Sequence, residues 1–171
     1  MTVTAAGGGV ALPYGVSVTP PAGSGVAGAA QNLQFAWASP AGYPGIGSSS
    51  ILIQDSTAPA PSPGGTFSNA CYLAVSTTGA TSLADDTGLS ASFYSWVGYG
   101  YAISPSNSHC ALNGPASSQV AGGIGGATEQ VTLNLTFSPA WKGRTLSIWM
   151  QSQNTNYKSG TWQQLGTFAV H

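Results

Sequence analysis

The sequence predicts an all-β fold, a single antiparallel β-sandwich closed by one disulfide, and three observations carry that expectation. Helix signals are nearly absent, because 24 glycines and 11 prolines recur with Ser and Thr so closely that no amphipathic window of a dozen residues survives. Alternating apolar and polar residues recur in short runs bounded by turn signals. The chain also has only two cysteines, Cys71 and Cys110, which suits one disulfide better than a four-ligand metal site.

Taken in order, Val16 and Val18 alternate with Ser17 and Thr19, and Leu33, Phe35 and Trp37 alternate with Gln34 and Ala36. Ile51 and Ile53 lie in a short apolar run before Gln54. Cys71, Leu73 and Val75 share one face, as do Cys110 and Leu112, so joining the cysteines puts both sets in one core. The clearest strand is Val131 to Phe137, with Val131, Leu133, Leu135 and Phe137 inward and Thr132, Asn134 and Thr136 outward. Leu146, Ile148 and Met150 continue this logic, with Ser147 and Trp149 on the opposite face. Pro139 and Gly143 mark the turn between these two strands, and Trp162 to Val170 closes the fold. Residues 56–68, 87–101 and 121–127 read as loops. Residues 1–13 read as a linker or N-terminal arm, and 14–171 as one domain.

Asp, Glu, Lys and Arg make up 4% of the chain, against roughly 25% in an ordinary soluble domain. With 42% hydrophobic residues, the chain has the means to fold, since disorder combines low hydrophobicity with high net charge. A net charge of −1 leaves little repulsion between copies. Three cations, Lys142, Arg144 and Lys158, cannot build a basic footprint for a phosphate backbone, which excludes nucleic acid as a partner. No apolar run is long enough for a membrane helix, so no membrane insertion is expected. Met1 to Leu12 has neither the basic nor the apolar region of a secretory signal; a signal has been removed, or the chain is a piece of something longer. A structural disulfide implies an extracellular or cell-surface location.

From Asn69 onward the chain resembles a repeated immunoglobulin-like module of large secreted and cell-surface bacterial proteins. The matching blocks are Ala70-Cys71-Tyr72-Leu73, Leu83-Ala84-Asp85-Asp86-Thr87-Gly88, Ser106-Asn107-Ser108-His109-Cys110, Val131 to Ala140, and Thr161 to Phe168. Val16-Ser17-Val18-Thr19-Pro20 ahead of Gln31 to Ala36 extends the likeness over about Val16 to Val170. The resemblance implies an immunoglobulin-like architecture and brings no catalytic residues with it. Trp96 lies too far beyond Cys71 for the core Trp that follows the first cysteine of antibody domains, so their disulfide pattern is not expected here.

Candidate sites are few. A Ser, His and Asp arrangement around His109 has no nucleophile elbow behind it, and the carboxylates Asp55, Asp85, Asp86 and Glu129 form no evident glycosidase pair. No enzyme activity and no cofactor is expected. Asp85-Asp86-Thr87-Gly88 reads as an Asp-Gly turn or as a weak calcium corner. Asn134-Leu135-Thr136 matches the glycosylation sequon. Tyr94, Trp96, Tyr99, Tyr101, Trp149 and Tyr157 are the aromatic candidates for a ligand or interface surface, or they close the ends of the core. The expected function is a structural or interaction module, either a repeat or a self-associating fibre subunit, whose partners are copies of itself or neighbouring domains. In the second, the uncharged segment Thr2 to Leu12 adds a strand to the next copy. The alternative is a carbohydrate-binding module that takes glycans on exposed aromatics.

Overall fold

The computed structural model describes residues 11–89, 97–98, 102–121 and 128–171. Among them run eleven strands: β1 (Tyr14–Thr19), β2 (Ala22–Gly25), β3 (Ala30–Ala38), β4 (Ile46–Asp55), β5 (Cys71–Ser76), β6 (Ala80–Leu83), β7 (Val97–Gly98), β8 (Cys110–Ala121), β9 (Thr128–Phe137), β10 (Thr145–Asn154) and β11 (Gln163–Val170). They form a four-stranded sheet ordered β1-β3-β9-β8 and a seven-stranded sheet ordered β2-β11-β10-β4-β5-β6-β7. The inward residues of both sheets make one core, in which Leu33, Phe35, Trp37, Ile51, Ile53, Leu133, Leu135, Leu146, Ile148 and Met150 are fully buried.

The disulfide joins the sheets. Cys71 on β5 and Cys110 on β8 are bonded with their Cα atoms 5.7 Å apart, and both are buried in the common core. Cys71 lies beside Ile53 and Cys110 beside Phe137 in the strand registers.

The expectation of a wholly antiparallel sandwich is corrected at one pair. β2 runs parallel to β11, with Thr167 opposite Ala22 and Val170 opposite Gly25. After pairing with β3 in the small sheet, β1 ends at Thr19 and the chain passes through Pro20 and Pro21. The chain then crosses to the other sheet without reversing direction. Pro21 O accepts from Thr167 N at 3.0 Å, and Gly25 O from His171 N at 2.8 Å.

Two smaller corrections concern a face and a loop. Val16 and Val18 do not share a face, because a bulge between Gly15 and Ser17 breaks the period; Val18 is buried while Val16 is 46% exposed. Within the expected loop 87–101, Val97 and Gly98 pair with Thr81 and Ala80 as an added edge strand. The apolar run Ile51-Leu52-Ile53 is buried on both faces. Leu52 points away from the main core into a second cluster with Phe67, Ala70, Tyr72 and Ala84, because the segment after β4 folds back over the outer face of the large sheet.

Candidate functional site

The sequence blocks around the second cysteine meet in one hub. Asn107 Nδ2 donates to Ala70 O and to Ala84 O, each at 3.0 Å. Its Oδ1 accepts from His109 N and Cys110 N, each at 2.9 Å. One amide thus satisfies four backbone groups at the ends of β5, β6 and β8, which is a structural task. Neighbouring Asp86 Oδ1 accepts from Ser108 N and Ser108 Oγ at 2.8 Å. These bonds, led by the backbone one, hold its carboxyl below the usual carboxylate range.

Asp85 and Asp86 serve separate partners. Asp85 Oδ1 accepts from Thr87 N at 2.9 Å and Thr87 Oγ1 at 2.6 Å, an Asx turn. Gly88 completes that turn with φ of 63°, and a Cβ there would lie 2.1 Å from the Phe67 carbonyl. The turn takes in Asp85, Thr87 and Gly88, while Asp86 reaches out of it to Ser108. Ser108, His109 and Asp86 do come together, with Ser108 Oγ 2.8 Å from His109 Nδ1. The hydroxyl has one proton; donated to Asp86, it leaves Ser108 to accept from His109, the reverse of what a nucleophile needs.

Asn134 also has a structural partner set. Its Nδ2 donates to Asn32 Oδ1 at 2.6 Å, and its Oδ1 accepts from Asn113 Nδ2 at 3.2 Å. The three residues are opposite one another on β3, β9 and β8, forming an amide ladder on the outer face of the small sheet.

Among the aromatic candidates, Tyr94, Trp96, Tyr99 and Tyr101 lie outside the described residues. Trp149, on the polar face of its strand, is partly buried and packed with Trp162 against the second cluster. Phe67 sets its ring edge against Tyr72 and Trp162, with centroids 4.9 and 5.5 Å away. Tyr157 is 84% exposed at the tip of the β10–β11 connection, where Asn154 Oδ1 accepts from Asn156 N and Lys158 N.

Beside this tip the outer face of β4, β5 and β10 carries a groove of about 270 Å3, lined by Ser48, Ser50, Tyr72, Ala74, Gln151 and Gln153 among others. A second depression shares Ser48 and Gln153 and reaches Tyr157. The lining is mostly hydroxyls and amides, with the Tyr72 ring in the groove, the Tyr157 ring in the second depression and no ionised side chain. The Ser and Gln residues of the groove, with the exposed Tyr157 ring at the depression beside it, suit a neutral, hydroxyl-rich ligand.

A different constellation lies inside the sandwich. Glu129 on β9 is fully buried, opposite Trp37 on β3. Its Oε1 accepts from Gln119 Nε2 at 2.5 Å and its Oε2 from Ser49 Oγ at 3.5 Å. Ser49 Oγ is 3.0 Å from Ser152 Oγ. Burial pushes the Glu129 carboxyl up to about 7 against the opposing effect of its Gln119 and Ser49 bonds, and Glu129 in turn adds to the burial that raises Tyr43. Strand parity is the signal in the sequence that sets Glu129 apart from the other three carboxylates, since it falls in step with Val131, Leu133, Leu135 and Phe137.

This acid sets a pH dependence. Between its ordinary value of 4.5 and about 7 the folded state keeps a proton that the unfolded chain has released. Stability therefore falls as pH rises through that window, by about 3 kcal/mol in total, and levels off above it. Denaturant titrations from pH 4.5 to 8 should show this slope, and Glu129→Gln should flatten it; a slope unchanged in the variant would assign it to other groups.

No protein-family model matches the chain, and no curated protein matches it.

Proposed function

We propose that this chain is an immunoglobulin-like module that acts as a non-enzymatic spacer and interaction unit of an extracellular or cell-surface assembly. The observation that carries the reading is the direction of the terminal strands. β1 and β2 together run alongside β11 in the same sense: Gly15 N donates to Gln163 Oε1 at 3.1 Å near the start of β11, and Gly25 stands opposite Val170 at its end. The first and last strands therefore leave the sandwich at opposite ends, so copies joined in series extend in a line.

Strand order supports the immunoglobulin assignment. In chain order, β1-β3-β9-β8 corresponds to A-B-E-D, and β11-β10-β4-β5-β6 to G-F-C-C′-C″ of a variable-type domain. The disulfide then links C′ to D and not B to F. That bond, together with the absence among the described residues of a helix fit to span a membrane, is compatible with secretion. A low-charge surface leaves contact between copies unopposed by repulsion.

The test is small-angle scattering on two copies fused in tandem. A maximum dimension near twice that of one copy is expected; a doubled-back particle would remove the basis for a spacer.

The neutral groove beside Tyr157 favours glycan binding as a second reading. Neutral oligosaccharides should then perturb the intrinsic fluorescence of the protein, with affinity lost in Tyr157→Ala. A broad glycan panel without a response counts against it.

A further inference from the structure

We propose that two copies of this chain pair antiparallel through the open edge of β2, joining their large sheets into one. The proposal rests on the reading of the chain as an interaction unit and names the surface that interacts. Edge strands are guarded by bulges, covering segments, prolines or charge, because their backbone donors and acceptors otherwise pair with a neighbour. Among the described residues, the other edges have such guards. A bulge between Gly15 and Ser17 interrupts β1. The first half of β8 is covered by the segment before it, where Pro105 O accepts from Leu112 N at 2.9 Å and Ile103 O from Gly114 N at 3.3 Å. Farther along, β8 contains Pro115 and shifts register between Asn113 and Ser118. β7 is only two residues long.

β2 has none of these guards. It ends the seven-stranded sheet, with β11 as its one neighbour among the described residues. Residues 1–54 contain no Asp, Glu, Lys, Arg or His, so no charge stands on β1, β2 or β3. Pro21 O and Gly25 O turn toward β11, where they accept from Thr167 N and His171 N. Backbone groups alternate sides along a strand, so Ala22 and Ser24 turn their N–H and C=O away from β11. Both residues are exposed.

This edge complements itself. About a two-fold axis at Gly23, Ala22 faces the partner's Ser24 and Ser24 faces the partner's Ala22, each pair exchanging both of its hydrogen bonds. Gly23 then lies opposite the partner's Gly23, with Cα atoms about 4.5 Å apart, the closer spacing of an antiparallel ladder. The next position fits as well. Val26 faces the partner's Pro20, which has no N–H to donate, and Val26 O is already taken by Ala29 N at 3.1 Å. Val26 is 62% exposed, so pairing also covers apolar surface. A contact of so few residues is weak alone and gains strength where copies stand in series.

Sedimentation equilibrium of the full, disulfide-bonded chain is the test. A monomer–dimer equilibrium is expected that stops at two copies, because a two-fold contact closes on itself. Ser24→Pro removes an outward donor that β11 does not use; the loss counts twice about the axis and should weaken dimerisation by roughly thirtyfold. Two double variants at these exposed positions read the register without a proline in the strand. Ala22→Lys with Ser24→Lys sets like charges opposite each other and should leave monomers. Ala22→Lys with Ser24→Glu sets opposite charges together and should keep the dimer. A wild-type chain that stays monomeric up to millimolar concentration, or dimers lost or kept alike in both double variants, overturns the proposal. The tandem fusion answers separately, since its length depends on where the chain enters and leaves each sandwich and not on the edge of β2.

Discussion

Replacing both cysteines, Cys71→Ala with Cys110→Ala, is expected to lower the unfolding free energy by about 4 kcal/mol, the cost in the chain-entropy model of releasing a loop of this length. The bond spans a sequence separation of 39 and clamps one sheet to the other at fully buried positions. Its loss frees the unfolded chain and leaves small voids where the sulfurs packed. Denaturant titration of the two proteins should separate the midpoints clearly. Coincident curves would mean that the hub at Asn107 holds β5 and β8 together without covalent help.

Leu135→Ala is expected to cost about 2 to 5 kcal/mol, because the side chain is fully buried mid-strand between two paired neighbours and a cavity there collapses poorly. Thr136→Ala, half-exposed on the other face, should cost less than about 1 kcal/mol. The same titration ranks the two; an inverted order would place β9 one residue out of register.

Leu135 illustrates what the sequence makes legible. A strict period of two over Val131 to Phe137 has one solution, and a disulfide between two apolar strands leaves little choice about which faces meet. The limits are equally physical. Ala22-Gly23-Ser24-Gly25 has no alternation, and its partner β11 is distant in sequence, so nothing local announces a parallel edge. Val16 was misaligned with Val18 by a bulge, which inserts a residue without a compositional mark. Trp149 stands on the face opposite Ile148, as parity requires, yet it is covered because Phe67 and Trp162 return over that face from other parts of the chain.

For the site, the interior acid is legible in the strand pattern. Carrying the alternation of β9 back from Val131 puts Glu129 inside. The same parity puts Ser49 in line with Ile51 and Ile53, and Ser152 in line with Ile148 and Met150. Strand pairing alone could bring these to one point, with Gln119 arriving from β8. The calcium and sequon motifs are visible as strings, but their roles depend on partners such as Ser108 and Asn32 that only the fold supplies.

The parallel contact between β2 and β11 has a mechanical consequence. Tension applied to the two ends of the sandwich pulls these strands past each other along their length, so their backbone hydrogen bonds share the load and must fail together. Antiparallel neighbours pulled from one end would peel apart singly. Once the edge gives way, unravelling reaches the Cys71–Cys110 bond and the 39-residue separation it closes contributes no length, withholding about 130 Å of extension from a stretched chain. The sandwich thus resists force in one direction, and even when it yields the Cys71–Cys110 bond keeps the two sheets on a covalent tether.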